Sequence, residues 1–203
     1  MQFDNRFLYE GGNPTLQPEK VFNVEAMMLY KWLNVSVGYK YLKDVMEWTK
    51  YIYPGKEFAY NTSLNFDHKQ LLYASVNVSP KFGIFRPTWG FNYNQQFFDT
   101  KKYGASKALS KPLLSCSLNN NFALSETMNA AIRLNASTTH ADGFLMMKSG
   151  YSVNLQFNKS FANRTWIIYL SANDIFKTAK ERWTMYGLGA GTTKDCYNYT
   201  RCI

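Results

Sequence analysis

From Tyr151 to Asn158 the chain reads Tyr-Ser-Val-Asn-Leu-Gln-Phe-Asn, an alternation without exception. Successive side chains of an extended strand point to opposite sides, so Tyr151, Val153, Leu155 and Phe157 share one face while Ser152, Asn154, Gln156 and Asn158 share the other. The apolar face is large and partly aromatic; the polar face is made of uncharged amides and a hydroxyl. A soluble sheet usually carries Lys, Glu and Thr on its wet side. Large apolar residues set against neutral polar ones suit a strand with lipid on one side and a water-filled lumen on the other.

The same two-residue period recurs along the chain. Phe85, Pro87, Trp89, Phe91 and Tyr93 interleave with Arg86, Thr88, Gly90, Asn92 and Asn94, and Ala130, Ile132, Leu134 and Ala136 with Asn129, Arg133, Asn135 and Ser137. Leu118, Phe122 and Leu124 oppose Ser117, Asn119, Asn121 and Ala123; Leu72, Ala74, Val76 and Val78 oppose Tyr73, Ser75, Asn77 and Ser79; Val35, Val37, Tyr39 and Tyr41 oppose Asn34, Ser36, Gly38 and Lys40. Repetition of one dyad pattern in segment after segment predicts an all-β chain, an antiparallel meander of about nine strands forming part of a transmembrane β-barrel.

Composition agrees. Aromatic residues make up 17% and charged residues 18%, yet the mean hydropathy is −0.36. Averaging each apolar residue with its polar neighbour gives that combination. No apolar run approaches the roughly 18 residues of a spanning helix. The net charge of +9 invites a nucleic-acid partner, but the basic residues are scattered singly or in short groups at strand ends and in loops, as at Lys101-Lys102, Lys107, Lys111 and Lys177 to Arg182, and form no stripe. They read as a solvated rim facing anionic head groups, with no nucleic acid bound.

The cysteines suggest no cofactor or metal. Cys116 shares parity with Leu118 and Phe122 and so acts as a small hydrophobe; Cys196 and Cys202, taken on one extended strand, lie too far apart to pair. Met1 is followed by Gln-Phe-Asp-Asn-Arg, without the basic start and apolar core of a secretion signal. Together with a barrel pattern, this predicts a fragment of a longer precursor.

Residues 1 to 20 carry turn chemistry at Gly11-Gly12-Asn13-Pro14 and Pro18. Pro18-Glu19-Lys20 followed by Val21 to Leu33 fits a helix start, but the alternation of Phe22, Val24, Ala26, Met28, Tyr30 and Trp32 with Asn23, Glu25 and Lys31 fits a strand better. The expected strands run over 21–31, 34–47, 57–80, 85–98, 112–123, 127–139, 148–159, 165–176 and 195–203, the third either broken at Asp67-His68-Lys69 or projecting into solvent. Short connections (Trp32-Leu33, Lys81 to Ile84, Ser125-Glu126, Ser160 to Arg164) alternate with long ones (Thr49 to Lys56, Asp99 to Lys111, His140 to Met147, Lys177 to Lys194). That asymmetry matches short periplasmic turns and long extracellular loops. The strand count comes out odd, whereas single-chain bacterial barrels have even counts, which predicts further strands upstream of Met1.

Gly12-Asn13-Pro14-Thr15-Leu16-Gln17-Pro18-Glu19, with Glu25 after a short gap, resembles the Gly-Asn-Pro-x-Leu-x-Pro-Glu segment of TonB-dependent outer-membrane receptors, especially the Bacteroidetes outer-membrane β-barrel group. Ser171-Ala172-Asn173-Asp174-Ile175-Phe176-Lys177-Thr178 is similar to the Asn-Asp-(Ile/Leu)-Phe-(Asn/Asp)-Thr segment near the C-terminus of that group. The resemblance implies a barrel strand after Glu19, a location in the bacterial outer membrane, and nutrient uptake of an iron chelate, cobalamin or glycan. Its implied partners are outer-membrane lipid, the nutrient, and TonB and a plug domain acting through the full-length protein. The departures are that Thr200-Arg201-Cys202-Ile203 stops partway through the family's terminal strand and that no plug or TonB box is present. A plug-less porin or structural outer-membrane protein fits the same pattern. A secreted all-β binding module or adhesin would instead need its aromatics sealed between two sheets.

No enzyme is expected. His68 and His140 read as surface residues, Asp142-Gly143 as a turn, and Gly187-Leu188-Gly189-Ala190-Gly191 as an outer loop without the Lys-Ser/Thr of a phosphate loop. Sequons such as Asn34-Val35-Ser36, Asn77-Val78-Ser79 and Asn135-Ala136-Ser137 follow from the Asn- and Ser-rich inner face. The ligand candidates are the inward polar set: Asn92, Asn94, Gln96, Asn119, Asn121, Arg133, Asn135, Asn154, Gln156 and Tyr169. Trp32, Trp48, Trp89, Phe97, Trp166 and Trp183 are candidates for interfacial girdles.

Overall fold

The computed structural model describes residues 2–5, 8–52, 59–161, 165–188, 191–197 and 201–202. Among them are β1 (Gln2–Asn5), β2 (Leu8–Glu10), β3 (Lys20–Tyr30), β4 (Leu33–Ile52), β5 (Ala59–Val78), β6 (Phe85–Phe97), β7 (Leu113–Ser125), β8 (Met128–Ser137), β9 (His140–Asp142), β10 (Leu145–Met147), β11 (Gly150–Phe161), β12 (Trp166–Ala172), β13 (Lys180–Tyr186), β14 (Gly191–Tyr197) and β15 (Arg201–Cys202). The segment after Pro18 is a strand, as its alternation favoured.

A ten-stranded sheet carries the meander, with β3, β4, β5, β6, β7, β8, β11 and β12 paired in that order, each antiparallel to the next. The register aligns apolar residues across it in continuous rows. Met28, Val35, Val76, Phe91, Cys116, Ala136 and Tyr151 form one such row. Tyr30, Leu33, Val78, Trp89, Leu118, Leu134 and Val153 form the next. A slip of one residue in any strand would turn its greasy face inward, so the pattern fixes the register. Tyr151 and Leu155 remain 51% and 39% exposed, so this face is not sealed against a second sheet and the sandwich arrangement is absent.

Three of the sequence expectations are corrected. The stretch at Asp67-His68-Lys69 does not break the strand: β4 and β5 each run 20 residues without interruption, about twice a membrane crossing. Their ladder skips only the opposing pair Asp44 and Asp67, and Asp44 takes a positive φ of 56°. This turns the faces over, so that Leu42 and Val45, three residues apart, enter one core cluster. The upper halves thus belong to a platform outside the membrane. Second, segments read as outer loops contain β9, β10 and β13, which join β14 and β15 in a separate five-stranded sheet of order β15-β14-β13-β10-β9. Third, β14 and β15 therefore do not extend the membrane wall, which has eight strands among the described residues where about nine were expected. The chain also turns back there, so Cys196 and Cys202 stand opposite each other in the β14–β15 ladder rather than spaced along one strand. Outside the meander, which is antiparallel throughout as expected, β2 lies parallel to the start of β5.

The core sits in the outer platform. Val45, Phe66, Phe98, Ala105 and Phe144 form its main cluster, and Leu109, Ala141 and Met146 a second beside it. Phe144 is fully buried, with its ring 4.9 Å from that of Phe66 and 5.3 Å from that of Phe98.

Candidate functional site

The polar face forms rows as regular as the apolar ones. Asn34, Asn77, Gly90, Ser117, Asn135 and Ser152 lie side by side, as do Ser36, Ser75, Asn92, Ser115 and Ser137. Asn119, Arg133 and Asn154 form a third row, and Asn121, Ala131, Gln156 and Ser171 a fourth. These rows hold seven of the ten candidates, and Asn94 opposite Tyr73, Gln96 opposite Leu71 and Tyr169 opposite Asn158 share the same face.

Their hydrogen bonds divide them. Arg133 donates from Nε to Asn119 Oδ1 at 3.4 Å, Asn92 donates to Ser115 Oγ at 3.4 Å, and Asn121 donates to the Arg86 carbonyl at 3.4 Å. These contacts are long and exposed, which leaves the amides able to take a ligand. Gln96 and Asn154 are different. Gln96 is buried, donates to the carbonyls of Leu109 (2.7 Å) and Gly143 (3.3 Å), and accepts from the Gly143 amide at 2.8 Å. Asn154 accepts from the Asp174 amide at 2.8 Å. Both are fasteners: Gln96 holds the β9–β10 turn, and Asn154 holds the turn after β12.

Because Gln96 and Lys69 lie on the polar face and are buried, the 99–111 connection and the β9–β10 hairpin must fold over that face at its outer end. The Lys69 ammonium contacts Glu47 Oε1 at 2.6 Å and Asp142 Oδ1 at 3.7 Å. Burial pushes the Glu47 carboxyl above the usual carboxylate range, against the pull of Lys69. The hairpin leaves the wall between β8 and β11 yet is pinned to β4, β5 and β6, so it crosses the mouth as a beam. Below it, Ser115, Ser117, Asn135, Ser137, Gly150 and Ser152 line a hydroxyl-rich hollow of about 570 Å³, bounded also by Ala179, Lys180 and Glu181.

Several residues that matter were not singled out in the sequence. Gly38 lies under the Tyr73 ring; a Cβ there would overlap its Cζ. Tyr73 thereby reaches across β4 and donates to Asn23 Oδ1 at 2.9 Å on β3. On the lipid face Asn120 is satisfied by the Trp89 indole, which donates to its Oδ1 at 2.9 Å. The girdle candidates divide as well: Trp32, Phe97 and Trp166 are exposed at strand ends, whereas Trp183 sits in the five-stranded sheet and Trp48 in the upper half of β4. Among the described residues no group of three or more His, Cys, Asp or Glu is placed to hold a metal.

A family model described as an outer membrane protein beta-barrel family matches residues 1–203. The chain belongs to that family. No curated protein and no solved structure matches it. As a member of the outer membrane β-barrel family it resides in the bacterial outer membrane, with its apolar rows against lipid. The two sequence segments that drew attention have structural jobs in this barrel. Asn13 accepts from the Thr15 amide and hydroxyl and donates to the Ser63 carbonyl, Gln17 exchanges bonds with Asn65, and Glu19 accepts from the Met46 amide, which straps 11–19 onto β4 and β5. Asp174 accepts from the amides of Thr178 and Ala179 and from the Thr178 hydroxyl, closing the turn after β12.

Proposed function

We propose that this chain is wall and outer platform of a TonB-dependent receptor barrel that takes up a nutrient, with further strands of the same wall pairing along the β3 edge. The observation that supports this reading most is the pinned β9–β10 beam over an inner face lined mostly by hydroxyls and amides. A mouth covered by folded structure suits capture of a bulky solute followed by gated entry, while the inner face offers many hydrogen bonds and few charges, Arg133 among them. The iron chelate, cobalamin and glycan classes all fit that chemistry. A porin is the competing reading, favoured by the same polar lining. Two measurements separate them. Reconstituted into a planar bilayer, a porin conducts steadily, whereas the receptor stays closed. In cells, uptake through a receptor stops when the proton gradient is collapsed, whereas porin flux continues. Steady conductance with gradient-independent uptake would overturn the receptor reading.

A further inference from the structure

The outer border of the lipid-facing surface changes chemistry within one step of the ladder. Phe22, Tyr41, Gln70 and Phe97 stand side by side on β3, β4, β5 and β6; on the next rung outward stand Lys20, Lys43 and His68. Residues two apart on a strand share a face, and the Tyr41 ring stacks on the His68 imidazole, 5.9 Å between centroids and 16° between planes. The row holding the two lysines therefore faces outward, immediately above the aromatic one. Leu33 to Tyr41, tilted by about 40°, climbs about 20 Å, near the height of the apolar band of such barrels. The cations accordingly sit where hydrocarbon gives way to head groups.

Lys20 and Lys43 are direct cross-strand partners and both are exposed. Like charges so placed repel. Among the described residues no carboxylate lies within ion-pair distance of either. The acid beside the row, Asp67, is taken by His68 Nδ1 at 3.2 Å and by the Lys102 ammonium at 3.4 Å. An anion between the two ammonium groups would remove the repulsion, and the aromatic rung below offers an apolar flank to whatever carries that anion.

We propose that Lys20 and Lys43, with His68 alongside, seat a phosphate group of an outer-leaflet lipid. The proposal rests on the long-loop end facing outward and is independent of which solute the barrel carries. The test uses the full protein extracted in mild detergent from the outer membrane of its host, with bound lipid read by native mass spectrometry and added diphosphorylated lipid A as probe. Each surface lysine contributes about a fivefold factor to anionic-lipid affinity, so K20Q and K43Q each lower affinity about fivefold and K20Q/K43Q about thirtyfold. The control pair K31Q/K81Q, exposed lysines in the short connections at the opposite end of the wall, leaves it unchanged. Dephosphorylated lipid A binds no better to wild type than to the double variant, and inorganic phosphate does not displace the lipid. An equal loss in the control pair, undiminished binding in the lysine variants, indifference to the lipid's phosphates, or displacement by free phosphate would each overturn the proposal.

Discussion

At Gly38 a single hydrogen atom makes room for an aromatic ring. Tyr73 crosses that space to reach Asn23, which ties the edge strand β3 to β5 over the top of β4. Introducing a methyl group in G38A forces Tyr73 out and costs about 2 kcal/mol in urea unfolding from micelles; Y73F keeps the packing, loses the hydrogen bond, and costs about 1 kcal/mol. Asp174 is the second residue with an outsized role, since three donors converge on its buried carboxylate. D174A leaves those donors without an acceptor and lowers stability by about 3 kcal/mol, whereas N154A, which removes one bond to the same turn, costs about 1 kcal/mol. Within an unbroken ladder the sequence shows which face each residue takes, because there face depends only on parity. It does not show the Gly38–Tyr73 fit, which depends on which residues the register sets opposite one another.

The long strands β4 and β5 show how an element can serve two environments. Below Asp44 and Asp67 they obey the lipid and lumen alternation; above, the turned-over faces send Val45 and Phe66 into the platform core. The sequence marked this place only as an anomaly at Asp67-His68-Lys69, since a phase change needs just one positive φ and leaves no compositional trace. The hairpin β9–β10 was legible as a turn at Asp142-Gly143, but three-residue strands are too short to carry a period. Its anchors can be ranked. F144A opens a cavity among aromatic neighbours and lowers platform stability by about 4 kcal/mol. K69M leaves Glu47 buried without its partner and costs about 3 kcal/mol at neutral pH, whereas E47Q costs about 1 kcal/mol, because Asp142 still faces Lys69. The K69M deficit shrinks as pH falls: the Glu47 carboxyl, already held above its ordinary range, takes up a proton and sheds the unpaired charge. Urea melts across a pH series read both effects.

Taken whole, the molecule is an open wall with a folded crown. The wall was readable because every crossing strand repeats one pattern; the crown was not, because its strands are short and its local hairpins are joined into one sheet only by the β10–β13 pairing of residues distant in sequence. Among the described residues both wall edges are unpaired, with β3 and β12 each bonded to one neighbour and exposed along their full lengths. Unpaired backbone groups in hydrocarbon cost several kcal/mol each. Residues 1–203 produced alone therefore do not insert into liposomes, and cosedimentation of the isolated chain with empty vesicles in folded, protease-resistant form would contradict the edge argument.

One row of that wall contains its own depth gauge. Cys116 lies between Phe91 and Ala136 in one of the apolar rows, so its thiol faces acyl chains and not water. With Cys196 and Cys202 changed to serine, a nitroxide attached at Cys116 in the membrane-embedded protein should relax faster with dissolved oxygen than with a water-soluble nickel chelate. The same label moved to position 117, one step along the strand, should show the reverse preference.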